Sequence, residues 1–291
     1  LQGGALNMKN CDVKGNDAAG SGGGIYAGKA GSTASSVTIS GGAIGGAGAD
    51  KNKTNYSGGG IYIDTDCSLT MKDHAKVTGN ESSTSGGGIH AENRSTLVIE
   101  HCSVTANTAG GSGGGAYVSG KAEIKGSTTI EHNEANVFGG GVYIASSGSG
   151  SVKFINATIG GEQYYDDTDL NKAKGNKAKS GGGIFVSNGT LNMEDSTLSF
   201  NKTNGGSSDG GGIAASNGTF TIKGCIFKNN DSGSGTGGGI KADNITLTMT
   251  DCTLTNNNAG GGGGGGGVSF PQPLSQEVVQ AKVQAAQQSL S

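Results

Sequence analysis

The sequence predicts an all-β fold: a right-handed parallel β-helix, or solenoid, with three short strands in each coil of about 28 residues. Two observations predict it. A glycine cluster followed by an aliphatic residue returns along the whole chain, and apolar residues alternate with polar ones between the copies. The intervals between successive clusters run from 26 to 42 residues. Repeats of this length indicate stacked units, because one unit alone cannot bury its apolar side chains.

The first predicted strand of each coil directly follows the glycine cluster. Its first and third residues are apolar, as in Ile61 and Ile63, so the residue between them should point away from the interior. We expect the glycines at a corner, because glycine permits positive φ and close approach of backbones. The nine middle residues are Tyr26, Tyr62, His90, Tyr117, Tyr143, Phe185, Ala214, Lys241 and Ser269.

The second and third predicted strands complete each coil. The second alternates in the same way, as in Leu69 and Met71, and the third is marked by one apolar residue three positions before an asparagine. We expect these asparagines to turn a corner, because asparagine tolerates left-handed backbone and its amides can stack between coils. They are Asn16, Asn80, Asn107, Asn133, Asn201, Asn230 and Asn257.

The coils are predicted to fill residues 1–270 as one domain. A right-handed sense is expected from the general preference of crossover connections between parallel strands. The two longest intervals, 36 and 42 residues, contain similar segments at 37–46 and 152–161, each followed by a polar insertion that we interpret as a loop. Residues 271–291 lack glycine and have apolar residues at helical spacing, which predicts a short helical segment: a cap, a stalk or an appended piece.

Composition excludes several classes of protein. The chain has 60 glycines and 2 prolines but no glycine at every third position, which excludes collagen. The net charge is −3 and Arg94 is the only arginine, so nucleic acid is not expected as a partner. No apolar run reaches the roughly 20 residues of a membrane span, so this segment is not expected to insert into a membrane.

The repeat resembles that of a known family. Glycines and an aliphatic residue, then apolar-x-apolar, then apolar-x-x-Asn, recur over about residues 3–270 and resemble the repeats of polymorphic outer-membrane proteins of chlamydiae and related glycine-rich bacterial surface proteins. The literal family motifs occur at Gly3–Leu6, Gly41–Ile44 and Phe227–Asn230. The resemblance implies an autotransporter-like passenger on the bacterial outer surface, usually an adhesin that binds a protein or glycan of a host or neighbouring cell.

The outward middle residues of the first strands are the candidate ligand-binding residues. An exposed row of aromatic side chains can bind sugars or proteins, although aromatic side chains also stack along a sheet for stability. Both interpretations stay open on the sequence alone. The candidate binding residues are Tyr26, Tyr62, His90, Tyr117, Tyr143 and Phe185.

No metal site, cofactor or catalytic residue is predicted. Cys11, Cys102, Cys225 and Cys252 each precede a corner asparagine by five positions, so we expect them to face inward as free thiols. Cys225 and Cys252 form the only pair on consecutive coils and could bond. His74 and His101 are expected to stack at one corner, where other coils carry polar residues.

These observations favour a non-catalytic, adhesin-like rod. A first alternative is a subunit of an extracellular filament or sheath, because the first predicted coil begins at a second strand and the last offers only a first strand, so copies could stack end to end. A second alternative is a carbohydrate-active enzyme, since the β-helix fold also hosts lyases and hydrolases. One arginine and scattered carboxylates make catalysis less favoured.

Overall fold

The structure is a computed structural model that describes residues 1–145, 150–161, 175–205, 209–261 and 265–270. In these residues the chain winds into a parallel β-solenoid, as the repeat predicts, and each strand pairs with its equivalent in the next turn. The right-handed sense of the coil stays a prediction. The proposed helical segment at 271–291 lies outside the described residues.

The first and second strands of the turns together form one sheet of 16 strands, called here the wide sheet. Its first strands are Ile25–Ala27, Ile61–Ile63, Ile89–Ala91, Ala116–Val118, Val142–Ile144, Ile184–Val186 and Val268–Ser269. Its second strands are Ala5–Lys9, Ser36–Ser40, Ser68–Lys72, Thr96–Glu100, Lys121–Lys125, Ser151–Ile155 and Gly189–Glu194. In two turns the first and second strands are continuous, as Ile213–Lys223 and Ile240–Thr250.

The third strands form a second sheet of 8 strands, and a fourth strand that the pattern did not predict forms a third sheet of 7. The third strands are Ala43–Ile44, Lys76–Thr78, Ser103–Thr105, Thr129–Glu131, Thr158–Gly160, Thr197–Ser199, Ile226–Lys228 and Thr253–Thr255. The fourth are Asp17–Ala18, Lys53–Thr54, Glu81–Ser82, Thr108–Ala109, Glu134–Ala135, Lys177–Ala178 and Lys202–Thr203. A two-residue strand is too short to show alternation, so only pairing between turns reveals it.

The core is a column of aliphatic residues that the in-register pairing places above one another. Leu69 pairs with Leu97 in the wide sheet, and Val77 pairs with Val104 in the second sheet. All four side chains are at most 1% exposed. The predicted inward positions are therefore confirmed, and the residues between them point outward.

The glycine cluster forms one corner, and its three glycines have different reasons to be glycine. The first, such as Gly113, has a positive φ of 71°. A Cβ on the second, Gly114, would lie 2.5 Å from the carbonyl oxygens of both Glu134 and Gly140. A Cβ on the third, Gly115, would lie 2.6 Å from the Gly141 carbonyl oxygen. The corner is thus packed directly against the backbone of the next turn.

Buried asparagines form a continuous ladder at another corner, as predicted. In most steps the backbone N–H and Nδ2 of one asparagine both donate to Oδ1 of the next; for Asn107 and Asn133 both distances are 3.0 Å, whereas Asn52 donates to Asn80 through Nδ2. Nδ2 also donates to a backbone carbonyl of the preceding turn, as from Asn133 to Val104 at 2.9 Å. The ladder runs through Asn16, Asn52, Asn80, Asn107, Asn133, Asn176, Asn201, Asn230 and Asn257.

Two details of the ladder correct the sequence analysis. None of its nine asparagines has a positive φ; in the turns without an insertion before the asparagine, the left-handed residue is the one before it, as at Ala106 and Asn229, whereas Lys51 before Asn52 has a φ of −63°. Asn52 and Asn176 were missed because the two insertions separate them from their third strands. The first insertion contains the 3-10 turn Gly48–Asp50, whereas most of the second, residues 162–174, lies outside the described residues.

Candidate functional site: the aromatic column

The candidate binding residues occupy one outward column of the wide sheet, called here the aromatic column. Each is the middle residue of a first strand, with buried neighbours on both sides. The register brings each into contact with its equivalent in the next turn, so the predicted residues are all brought together. The column is Tyr26, Tyr62, His90, Tyr117, Tyr143 and Phe185.

The rings of the aromatic column stack face to face. Successive ring centroids are 5.4, 5.1, 4.5, 5.0 and 5.6 Å apart, and successive ring planes differ by 4 to 17°. Such close, nearly parallel rings cover each other's faces. The surface therefore presents ring edges and hydroxyl groups rather than open aromatic faces.

Phe138 joins the column from the side and was not predicted. Its ring centroid lies 4.4 Å from that of Phe185 and 6.3 Å from that of Tyr143. Phe138 directly precedes the glycine cluster, at a position where the preceding two turns have Ser85 and Ser112. A phenylalanine in place of serine at this position is the sequence feature that could have predicted the extra ring.

Two carboxylates of the following corner hold the phenol groups at one end of the column. The Tyr62 hydroxyl donates to Glu92 Oε1 at 2.9 Å, and the Tyr26 hydroxyl donates to Asp64 Oδ2 at 3.3 Å. Burial and the hydrogen bond to Glu92 raise the pKa of Tyr62 well above its usual value. The hydrogen bond from His90, with that from Tyr62, lowers the pKa of Glu92 to about 2.

His90 is the most buried residue of the aromatic column. Only 5% of the residue is exposed, between the rings of Tyr62 and Tyr117. Its Nε2 lies 3.1 Å from Glu92 Oε1, while its buried Nδ1 has no hydrogen-bond partner among the described residues. We assign the tautomer with the proton on Nε2, because a buried N–H without an acceptor costs more than an unused lone pair.

A network of ion pairs lies beside these carboxylates and links three turns. Arg94 donates two hydrogen bonds to Asp66, at 2.6 and 2.9 Å, and the Lys29 ammonium lies 2.8 Å from Asp66 Oδ2. The guanidinium and the ammonium hold the pKa of Asp66 well below its usual value. The only arginine of the chain is therefore engaged in this pairing, where its planar fork matches a carboxylate.

The aromatic column gives way to other residues in the last turns. Ala214 follows Phe185 in register and is buried, and Lys241 follows Ala214. The Lys241 ammonium pairs with Asp243 at 2.8 Å. The aromatic surface is therefore confined to six turns.

The cysteines differ in exposure more than their shared column suggested. All five are free thiols, so Cys225 and Cys252 are not bonded to each other. Cys102 and Cys225 are buried, as expected, but Cys11 is exposed and Cys252 is intermediate. Cys11 differs because it lies in the first turn, whose strand Ala5–Lys9 is paired on one side only among the described strands.

This difference predicts the order of thiol modification. At pH 7.5 we expect iodoacetamide to modify Cys11 first, and Cys102 and Cys225 far more slowly. Burial raises the pKa of both buried thiols to about 11, which lowers the reactive thiolate on the order of 100-fold. Timed alkylation followed by peptide mass spectrometry measures the rates. In denaturant all the rates should converge; equal rates in the folded protein would contradict the burial.

The described residues offer no metal centre and no membrane-spanning helix. No group of three or more His, Cys, Asp or Glu side chains in the described ranges is placed to hold a metal ion. Among the same residues no helix is long and apolar enough to cross a membrane.

Comparisons with protein-family models, with curated proteins and with solved structures found no match to this chain. The family resemblance drawn from the repeat motifs therefore stays a prediction.

Proposed function

We propose that this chain is a non-catalytic binding rod displayed on a bacterial outer surface, and that the aromatic column holds its ligand. The observation that supports this is the continuity of the column: six successive turns place a ring at the same outward position. An outward column of the second strands, in contrast, changes chemistry from turn to turn. It contains Thr70, Val98, Glu123, Lys153 and Asn192.

The stacking geometry indicates how a ligand would be held. Because the ring faces cover each other, a ligand meets ring edges and phenol hydroxyls, and such a contact recurs along the column except at the enclosed His90. Repeated contacts about one turn apart suit a chain-like ligand that lies along the rod, either a glycan or a protein segment. Hydrogen bonds, more than stacking on open rings, would then give the affinity.

The solenoid suits display because its turns are held together along their whole length. Three parallel sheets and the asparagine ladder join each turn to the next. Stability of this kind comes from neighbouring turns, so a long surface can be presented without a separate domain core. An adhesin-like role at the cell surface is the use of such a rod that the repeat motifs favour.

The proposal is tested with a double variant, Tyr117→Phe with Tyr143→Phe, in binding to glycan arrays and to host or neighbouring cells. The variant removes two hydroxyls and keeps both stacked rings. We expect about 10-fold weaker binding, from the loss of two hydrogen bonds of ordinary strength. Tyr56→Phe is the matched control, since Tyr56 is 57% exposed and lies outside the column, and it should bind as the unchanged protein does.

Three results would overturn the proposal. Unchanged binding by the double variant would show that the aromatic column is not the binding surface. Long polymers in sedimentation, without binding to any cell or glycan, would favour the filament alternative. Release of reducing or unsaturated sugars from a bound glycan would favour the enzyme alternative.

A further inference from the structure

A cavity of ≈ 220 Å³ lies away from the aromatic column, at the corner between the second and third strands. Three successive turns line it, and each contributes a corner residue and the residue two positions later. The polar side chains around it are His74 with Lys76, His101 with Ser103, and Ser127 with Thr129.

The backbone explains why these side chains converge. The corner residues His74, His101 and Ser127 have positive φ values of 63, 51 and 61°, which turn the chain from the wide sheet to the second sheet. The residue after each corner is buried, so the residues on either side of it face outward. Lys76, Ser103 and Thr129 are direct neighbours in the second sheet.

Gly126 makes room for one of the imidazoles. A Cβ on Gly126 would lie 2.8 Å from Cε1 and 2.9 Å from Nε2 of His101. The ring of His101 therefore packs directly over the backbone of the next turn. Any side chain at position 126 would push this ring away, so the glycine leaves the space that the His101 ring occupies.

The polar groups that line the cavity are donors or potential cations. They comprise two imidazoles, one ammonium and three hydroxyls, and no carboxylate lies among the lining residues. Three carboxylates lie near its margins. Asp73 accepts a hydrogen bond from Ser40 of the preceding turn, Glu100 pairs in register with Lys125, and Glu131 follows Thr129 by two positions.

The same corner carries acidic or neutral residues in other described turns. Asp195 and Asp251 occupy the corner near the end of the chain, and Asn10 occupies it in the first turn. A concave site lined by two imidazoles, an ammonium and hydroxyls therefore arises where His74 and His101 fall on consecutive turns, joined by a 3.0 Å hydrogen bond from the His74 N–H to the His101 carbonyl.

We propose that this cavity binds a tetrahedral oxyanion, of the sulfate or phosphate class, between Lys76, His74 and His101. Charged donors bind such oxyanions most strongly, and the hydroxyls of Ser103, Ser127 and Thr129 supply further donors. The site goes beyond the proposed function, because it shares no residue with the aromatic column. Binding at one surface can fail without affecting the other.

The test is an NMR titration of the histidine ring signals with sodium sulfate at pH 6, where an imidazole carries positive charge part of the time. Sodium chloride at matched ionic strength is the reference. We expect saturable shifts at His74 and His101 and none at His132, whose side chain does not line the cavity. A parallel titration uses a sulfated disaccharide: tighter binding than sulfate would identify a glycan-borne group, and equal binding a free anion.

Two variants test the assignment independently. His101→Gln and Lys76→Gln should each weaken sulfate binding at least about 10-fold, the loss of one charge-assisted hydrogen bond. His132→Gln is the matched control and should leave it unchanged. Linear shifts that never saturate, or equal affinity in the Lys76 and His132 variants, would overturn the proposal. Lys76 is exposed, so its variant keeps the test valid if the His101 variant does not fold.

Discussion

Asn133→Ala is expected to destabilise the protein by about 4 kcal/mol, because the substitution breaks four buried hydrogen bonds at once. Asn133 Oδ1 accepts from the backbone N–H and Nδ2 of Asn107, and its Nδ2 donates to Val104 and to Asn176. Alanine removes all four bonds and leaves the buried Asn107 backbone N–H without its acceptor, while Asn107 Nδ2 keeps its bond to Val77 and Asn176 Oδ1 keeps the backbone N–H of residue 133. Thermal unfolding followed by circular dichroism should show a melting temperature lower by roughly 10 °C.

The matched control for this change is Asn136→Ala. Asn136 lies three residues later and is exposed, and its backbone N–H donates to the Ala109 carbonyl, a bond that alanine keeps. We expect its melting temperature to stay within about 2 °C of the unchanged protein. Similar melting temperatures for the two variants would show that the ladder does not carry the stability assigned to it.

Gly114→Ala is also expected to destabilise the protein strongly, although it adds a single methyl group. The new Cβ would lie 2.5 Å from the carbonyl oxygens of Glu134 and Gly140. Both are backbone atoms of the next turn, so relief requires two turns to move apart and weakens the sheet hydrogen bonds between them. We expect a loss of about 3 kcal/mol or more, the upper part of the range for overpacking.

Gly20→Ala provides the control for the glycine prediction. Gly20 is exposed, and a Cβ added there meets no atom within 4 Å. Its free energy of unfolding should change by less than about 0.5 kcal/mol. Hydrogen exchange gives a further readout: in Gly114→Ala the amides of Ala116–Val118 and Val142–Ile144, the paired strands of the two displaced turns, should lose protection. Unchanged protection there would contradict a displacement of adjacent turns.

The repeat itself predicts the solenoid, because its strands have one buried face each. Ile61 and Ile63, or Leu97 and Ile99, can leave water together only if the whole turn stacks in register on the next, and a shift by one residue would expose them. The same logic places Tyr62 and His90 on the outside. The core and the membership of the aromatic column are accordingly confirmed by the structure.

The sequence patterns did not reveal the fourth strand, Asn52 or Asn176. The fourth strand is only two residues long, and an insertion interrupts the pattern before each of the two asparagines. In every turn the asparagine is followed two positions later by Ala, Ser or Thr, as at Thr54 and Ala178, which are buried against the glycine corner. That spacing persists in the turns with insertions, where the apolar residue three positions before the asparagine is lost. The spacing is not specific, because Asn55, Asn93 and Asn156, which lie outside the ladder, share it, so only the pairing between turns identifies both missing members.

The sequence alone determined which side chains face in and which face out, since alternation along a strand depends only on neighbouring residues. Only the tertiary structure decided how outward side chains from different turns meet. The mutual covering of the rings, the bond from Tyr62 to Glu92, and the cavity between His74, Lys76 and His101 all join residues of different turns. Their geometry depends on register and on rotamers fixed by the adjacent turn, as at Gly126, and no local pattern encodes these.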